Sequence, residues 1–218
     1  MLSVVIPTLN AGAHLRRCLE AIKGGGELVV VDGGSGDDTC DIARQFGATL
    51  VTARRGRGSQ LGVGAEQARG DWLLFLHADT QLGPGWREAV RRHMADHPQR
   101  AACFAFRLDD PSWQARVLER GVALRFLILA LPYGDQGLLI SRRLYREIGG
   151  FRSLPLMEDV DLVRRIGRGR LRTLHVPAIT SAERWRQDGW WRRSARNLSC
   201  LALYGLGVSL ARIARLYA

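Results

Sequence analysis

Lysine is all but missing from this chain: of its 32 basic residues, only Lys23 is not an arginine. Acids are also scarce beside them, 21 in all, which leaves a formal net charge of +11. A guanidinium fork suits phosphates and carboxylates, so an anionic ligand or surface is expected. A nucleic-acid partner is not expected. The arginines fall into separate groups within 54–57, 164–172 and 184–196, and no nucleic-acid-binding module accompanies them. Cysteine is sparse as well. Cys18, Cys40, Cys103 and Cys200 lie far apart and fit no zinc or redox spacing, which points to buried thiols in a reducing compartment. The chain opens without a basic stretch leading into a long apolar one, so a cleaved signal peptide is not expected and the cytoplasm is. Long apolar runs are missing too: 198–211 gives roughly 14 residues where about 20 are needed to span a bilayer. No Gly-Lys-Ser/Thr occurs, which excludes a Walker A loop, and the glycines after Asp32 do not have the dinucleotide-binding spacing.

What is present reads as one α/β domain with a short C-terminal appendage. The 218 residues are 46% hydrophobic and 24% charged, enough to bury a sizeable core. Short apolar strands are expected at 2–6, 27–31, 48–52 and 71–76. They alternate with helices at 13–23, from Asp37 or Asp38 to Phe46, and at 61–68. Alternation of this kind predicts βαβ units and a mainly parallel sheet flanked by helices. Further on, a helix is expected at 86–97, a more exposed strand at 101–108 and a long apolar helix at 114–131 ending at Pro132-Tyr133-Gly134. Then come a strand at 138–141, helices at 142–148 and 158–165, and a late strand at 171–176. The last stretch, 189–217, is expected to be helical.

Several of these elements end in residues able to do chemistry. The strand at 71–76 runs into His77 and Asp79, and a carboxylate at the carboxyl end of such a strand can hold Mg²⁺ against a diphosphate. Asp32 follows three valines and precedes two glycines, so it can either accept from a nucleobase N–H or cap a tight turn. Arg55-Gly56-Arg57-Gly58-Ser59-Gln60 offers free backbone N–H groups and two guanidiniums beside a helix start, a combination that binds phosphate. Met157-Glu158-Asp159-Val160-Asp161 sets three acids at a helix start. There they complement the macrodipole, and one of them can serve as a general base. Asp161 is expected to pair with Arg164 or Arg165. The polar loop Tyr133-Gly134-Asp135-Gln136-Gly137 interrupts apolar surroundings, which favours ligand contact, and Arg184-Trp185 could form a phosphate clamp with a stacking face.

Taken in order, Pro7-Thr8-Leu9-Asn10, Val31-Asp32-Gly33-Gly34-Ser35, the Arg57-Gly58 loop, Leu76-His77-Ala78-Asp79 and Glu158-Asp159 resemble family 2 glycosyltransferases of the GT-A (Rossmann-like) fold. The likeness extends to about Val176. It implies an inverting transfer of sugar from a nucleotide-diphosphate sugar, UDP-linked in many members, to a hydroxyl acceptor with Mg²⁺ or Mn²⁺. By position, Pro7, Thr8 and Asn10 would line the nucleotide pocket, Asp32 would read the base, and Arg57 would support base or phosphate. Asp79 would be the metal-binding carboxylate, with His77 standing where most members carry another acid. Asp159 would be the general base with Glu158 as its partner, while Asp135, Gln136, Arg184 and Trp185 would meet acceptor or diphosphate. Arg184-Trp185 resembles the end of the Gln-x-x-Arg-Trp element of processive members, but Ser181 replaces the glutamine, which argues against polymer synthesis. The wording around His77, Asp135 and Met157 is similar to a compact bacterial branch labelled arsenosugar-biosynthesis glycosyltransferase. The implied division is a catalytic domain over 1–180 and a helical segment over 181–218 that packs on it or on an anionic membrane surface. The alternative is a nucleotide-sugar-binding protein that has lost catalysis, suggested by His77 and opposed by the intact Glu158-Asp159.

Overall fold

The computed structural model describes residues 1–129 and 134–217. Its first half alternates strictly: β1 (Leu2–Thr8), α1 (Gly12–Ile22), β2 (Glu27–Asp32), α2 (Thr39–Gln45), β3 (Thr49–Thr52), α3 (Arg57–Gln67) and β4 (Trp72–Phe75). A short strand β5 (Thr80–Leu82) follows, then α4 (Trp86–Asp96), β6 (Ala101–Leu108) and α5 (Trp113–Leu129). After a 3-10 turn at Gly134–Gln136 come β7 (Leu138–Ser141), α6 (Arg142–Glu147), α7 (Glu158–Ile166) and β8 (Leu171–Thr180). Three helices close the described chain: α8 (Glu183–Asp188), α9 (Trp190–Gly205) and α10 (Leu210–Tyr217).

The eight strands form one sheet in the order β3-β2-β1-β4-β7-β6-β8-β5. The β3-β2-β1-β4 half is parallel, as is β6 with β8, while β7 runs against both neighbours and β5 against β8. The near-continuous apolar runs are explained by burial on both faces. Val5, Val29, Val31, Leu73 and Phe75 enter one core layer with α3, α7, α9 and α10. Their neighbours Val4, Ile6, Val30, Leu74 and Leu76 enter the other, with α1 and α4. Each such side chain stabilises the fold by roughly 1.5–3 kcal/mol relative to exposure.

Several elements differ from the sequence reading. α3 begins at Arg57, four residues early, so Arg57–Gln60 form a helical first turn rather than a loop. Gly58 permits this, since a Cβ there would lie 2.3 Å from the Arg152 carbonyl oxygen. β6 is buried along most of its length, not exposed, because it lies between β7 and β8. β8 runs on to Thr180, held by its pairing with β5, and the C-terminal helical stretch is broken at Gly189 and Gly207, both at positive φ. Asp37, not the N-cap residue Asp38, holds the start of α2, accepting from the Thr39 N–H and also from that of Gly12. The expected end of α5 at Pro132 and Tyr133 lies outside the described residues. Among those described, no helix is long and apolar enough to cross a membrane.

Candidate functional site

Parallel pairing brings the carboxyl ends of β1, β2 and β4 to a single sheet edge, the place where open α/β sheets take ligands. Main-chain groups tie that edge together. The Gly33 N–H donates to the Thr8 carbonyl at 2.9 Å, and the Gln60 amide donates to the carbonyls of Thr8 and Val31 at 2.8 Å each. Asn10 takes a left-handed conformation (φ 49°), which asparagine tolerates better than most residues. Its N–H donates to Ser35 Oγ at 2.8 Å, and its Oδ1 accepts from the Gly36 N–H at 2.9 Å. Asp32 lies buried beneath this pair of loops. Its Oδ2 accepts from the N–H groups of Gly34 and Ser35, and its Oδ1 from the hydroxyls of Thr8 and Ser35. Burial alone would raise its pKa, but these hydrogen bonds outweigh it and hold the carboxyl below its ordinary range.

Beyond β4 the chain turns through His77 and Asp79 into β5. The Ser181 N–H donates to the Asp79 carbonyl at 3.1 Å, and the hydroxyls of Thr80 and Thr180 meet at 2.9 Å, so β8 braces the turn. Two cavities open on either side of it. One, about 330 Å³, is bounded by Pro7, Thr8, Asn10 and Gln60. The other, about 250 Å³, is bounded by Asp135, Glu158, Asp159 and Trp185, with apolar Phe106 and Val122 behind them. Arg57, His77, Asp79 and Arg184 border both. The structure thus brings most of the sequence-derived residues to one cleft. Asp32 and Gln136 do not line it: the former sits below the β1 loop, and the latter is buried with its amide on the Phe104 carbonyl at 3.1 Å.

The carboxylates of the second cavity differ in their surroundings. α7 begins directly after Met157, which holds a left-handed φ of 63° without being glycine. Glu158 is buried; desolvation raises its pKa, opposed by the Arg57 guanidinium whose Nε lies 3.2 Å from Oε1. Asp159 accepts main-chain N–H groups on both oxygens, Val160 at 2.7 Å and Gly134 at 2.8 Å, so its orientation is fixed. Burial pushes the Asp135 carboxyl up to about 7, with the charges of Asp159 and Asp79 adding to the effect and Arg125 opposing it. Its main-chain carbonyl accepts from the Thr180 hydroxyl at 3.1 Å. His77 packs against Gly134 so closely that a Cβ there would lie 2.6 Å from Nε2. Burial, reinforced by Arg57, lowers the His77 pKa to about 4 despite Asp79 and Asp159, so the ring is neutral at pH 7 and supplies no charge in place of an acid. Trp185 lies against Phe106, and the Arg193 guanidinium stacks on it at 5.1 Å. Asp161 pairs with Arg165 at 2.6 Å, as its spacing predicts, and with Arg152.

The donors decide whether a divalent cation suits this cleft. Asp79 Oδ1 is buried without a hydrogen-bond partner among the described residues, and so is Asp135 Oδ1. No group of three or more potential metal ligands occurs among those residues. That pattern fits an ion held by a single carboxylate and completed by phosphate oxygens and water, as Mg²⁺ commonly is. It does not fit an all-protein cage. The apolar wall of the second cavity, with Val122 of α5, Asn197 of α9 and Tyr217 of α10, carried no motif by which the sequence could have marked it.

Residues 3–154 match the model of glycosyl transferase family 2. A PGL/p-HBAD biosynthesis glycosyltransferase of Mycobacterium tuberculosis is 45% identical over 93 residues, covering 38% of this chain and 36% of that protein. The chain thus matches little more than a third of the length of such curated relatives. An uncharacterized protein of the same species is 37% identical over 197 residues, 76% of this chain and 61% of its own. Among solved structures, Staphylococcus aureus TarS 1–349 in complex with UDP-GlcNAc aligns with a TM-score of 0.65 at 16% identity, over 100% of this chain and 70% of that one. Glucosyl-3-phosphoglycerate synthase from M. tuberculosis, in complex with Mn²⁺, UDP and glucosyl-3-phosphoglycerate, aligns at 0.59 and 21% identity, over 81% and 70% respectively. These two likenesses concern the fold alone.

Proposed function

The chain belongs to glycosyl transferase family 2, and from that premise we propose that it moves a sugar from a nucleotide-diphosphate sugar, UDP-linked, to an acceptor hydroxyl with inversion. The observation that carries this reading is the buried, unpartnered Oδ1 of Asp79, set where a polar cavity of strand-end loops meets a cavity holding Glu158 and Asp159. UDP complexes among proteins of the same fold, several of them with Mn²⁺ or Mg²⁺, support the choice of donor.

On this reading Pro7, Thr8 and Asn10 bound the nucleotide side, and Asp32 reads the base by exchanging the Ser35 or Thr8 hydroxyl for a base N–H. Arg57 and Arg184 face the diphosphate. Asp79 would hold Mg²⁺ or Mn²⁺, whose charge would offset that of the leaving diphosphate. Asp159, aimed by its two amides, takes the proton of the acceptor hydroxyl as that oxygen attacks the anomeric carbon. The bond to the diphosphate breaks in the same displacement, which inverts the centre without a covalent sugar–enzyme species. Glu158, neutralised by Arg57, keeps a second free charge away from the base. Asp135, protonated for part of the time near neutral pH, donates to acceptor or diphosphate. Gln136 shapes that turn, and Trp185 offers the acceptor a ring face. Residues 1–180 form the catalytic part, and the helices of 181–218 cover its acceptor side. The protein works in the cytoplasm, in peripheral contact with anionic membrane.

Calorimetric titration with UDP and GDP, with and without Mn²⁺, tests the proposal. Metal-dependent UDP binding is expected, weakened roughly 10- to 100-fold in Asp79→Ala, the usual scale for losing a group that holds a metal. A folded protein that binds neither nucleotide with metal present would overturn it.

A further inference from the structure

Helix α5 carries an exposed apolar stripe. Trp113, Val117, Leu124, Leu127 and Ile128 fall at helical spacing and all face solvent, Leu124 at 55% and Leu127 at 68% exposure. Helix α9 repeats the pattern: Trp191, Ala195, Leu198 and Ala202 are exposed at intervals of four, three and four, and Leu206 at its C-cap reaches 81%. The two stripes meet where the Trp113 and Trp191 rings lie 5.8 Å apart. A contiguous apolar face of this kind is unusual on a soluble surface and marks a binding face. Beside it, Gly121 and Val122 of α5 and Asn197 of α9 line the cavity that holds Asp135 and Asp159, and Leu198 of the stripe itself reaches that cavity. The face therefore borders the mouth of the second cavity.

The charge around it is of one sign. Arg120 stands exposed between Val117 and Leu124, and Arg192 beside Trp191. The nearby acids are already engaged, Glu119 by Arg107 and Arg116, and Asp188 by Arg193 and Arg196. A second copy of this chain, paired through the same face on both sides, would set arginine against arginine and close the cavity mouth. An anionic lipid surface complements the charge, accepts Trp and Leu at headgroup depth, and leaves the mouth open to a molecule in the bilayer.

We propose that the α5–α9 face lies on an anionic bilayer and that the acceptor is an amphiphile whose hydroxyl head enters the cavity from that surface. The second half of this statement rests on the transferase reading; the first does not. The full-length chain would be sedimented with vesicles of phosphatidylcholine alone and of equal parts phosphatidylcholine and phosphatidylglycerol. Tryptophan emission and UDP titration with Mn²⁺ would be recorded on the same samples. The mixed vesicles should carry the protein down and shift its emission to the blue. Leu124→Glu combined with Leu206→Glu, both far exposed, should reduce that partition by about tenfold or more while UDP binding persists. Protein left in the supernatant with either vesicle, or a double variant that sediments like the parent, would overturn the proposal. So would a dimer in ultracentrifugation that the double variant dissolves. Loss of UDP binding alone would strike the donor assignment and leave the vesicle result standing.

Discussion

On one side of Asp79 the cleft is walled by strand ends whose positions are set by main-chain hydrogen bonds and the Gln60 amide; on the other it is walled by helices α5, α9 and α10, which meet through side chains. The first wall is polar and anchored in the parallel half of the sheet. The second is apolar, edged by arginines, and ends in an exposed stripe. A ligand common to many proteins, such as a nucleoside diphosphate, can be met by main-chain geometry. A ligand particular to one protein needs side chains, and those are found on the helical wall.

The contrast can be broken at Asp159, the proposed base between the walls. Asp159→Asn should lower transfer by roughly 10²- to 10⁴-fold, the usual worth of a general base, with UDP affinity nearly unchanged. Product formation over time beside a UDP titration reads both quantities. If UDP affinity fell with transfer, Asp159 would belong to the nucleotide wall instead.

A smaller effect, in stability, separates the helical side from the back of the sheet. Asp135 has its pKa raised to about 7, so its contribution to stability is full below the ordinary carboxylate range and is lost as pH rises through about 7. His93, at the back, is lowered to about 4 by burial, with His97 and Arg172 adding to it. Its contribution is full above the ordinary imidazole range and is lost as pH falls through about 4. The two slopes oppose each other between about 4 and about 7. Asp135→Asn removes one, so its melting midpoint should fall more steeply on acidification than the parent's. Parallel curves would mean that Asp135 is ionised throughout.

The smallest effect lies on the helical wall. Arg168 donates to the carbonyls of Leu127 and Ile128 in the last turn of α5. Arg168→Ala should cost about 1 kcal/mol in urea unfolding, with UDP binding intact. A change in UDP affinity would show that the two walls are coupled.

The sequence was most legible where a fold element and a chemical group coincide. Apolar runs at β1, β2 and β4 end in Thr8, Asp32 and His77–Asp79, so element and residue confirm one another. Three-residue β5 is too short for any periodicity. The early start of α3 was hidden by Gly56 and Gly58, which suggest a loop. The buried state of β6 was masked by Ala101, Ala102 and Cys103, small residues that contribute little to an apolar pattern. Asp32 had two open readings: its carboxylate accepts four hydrogen bonds within the turn, and meeting a base would take the exchange of one of them. The helical wall was illegible because its residues, from Phe106 to Tyr217, share no spacing; only the folded chain gathers them.

The bracing of Asp79 by Ser181 has a bearing on descent. The strand-end cavity draws its last bounding residues, Ser181, Glu183 and Arg184, from the start of α8, while α9 and α10 follow only after Gly189. A lineage can therefore exchange or extend what comes after α8 without rebuilding the strand-end cavity. Grafts joined at Asp188–Gly189 are the natural way to replay such a change in the laboratory.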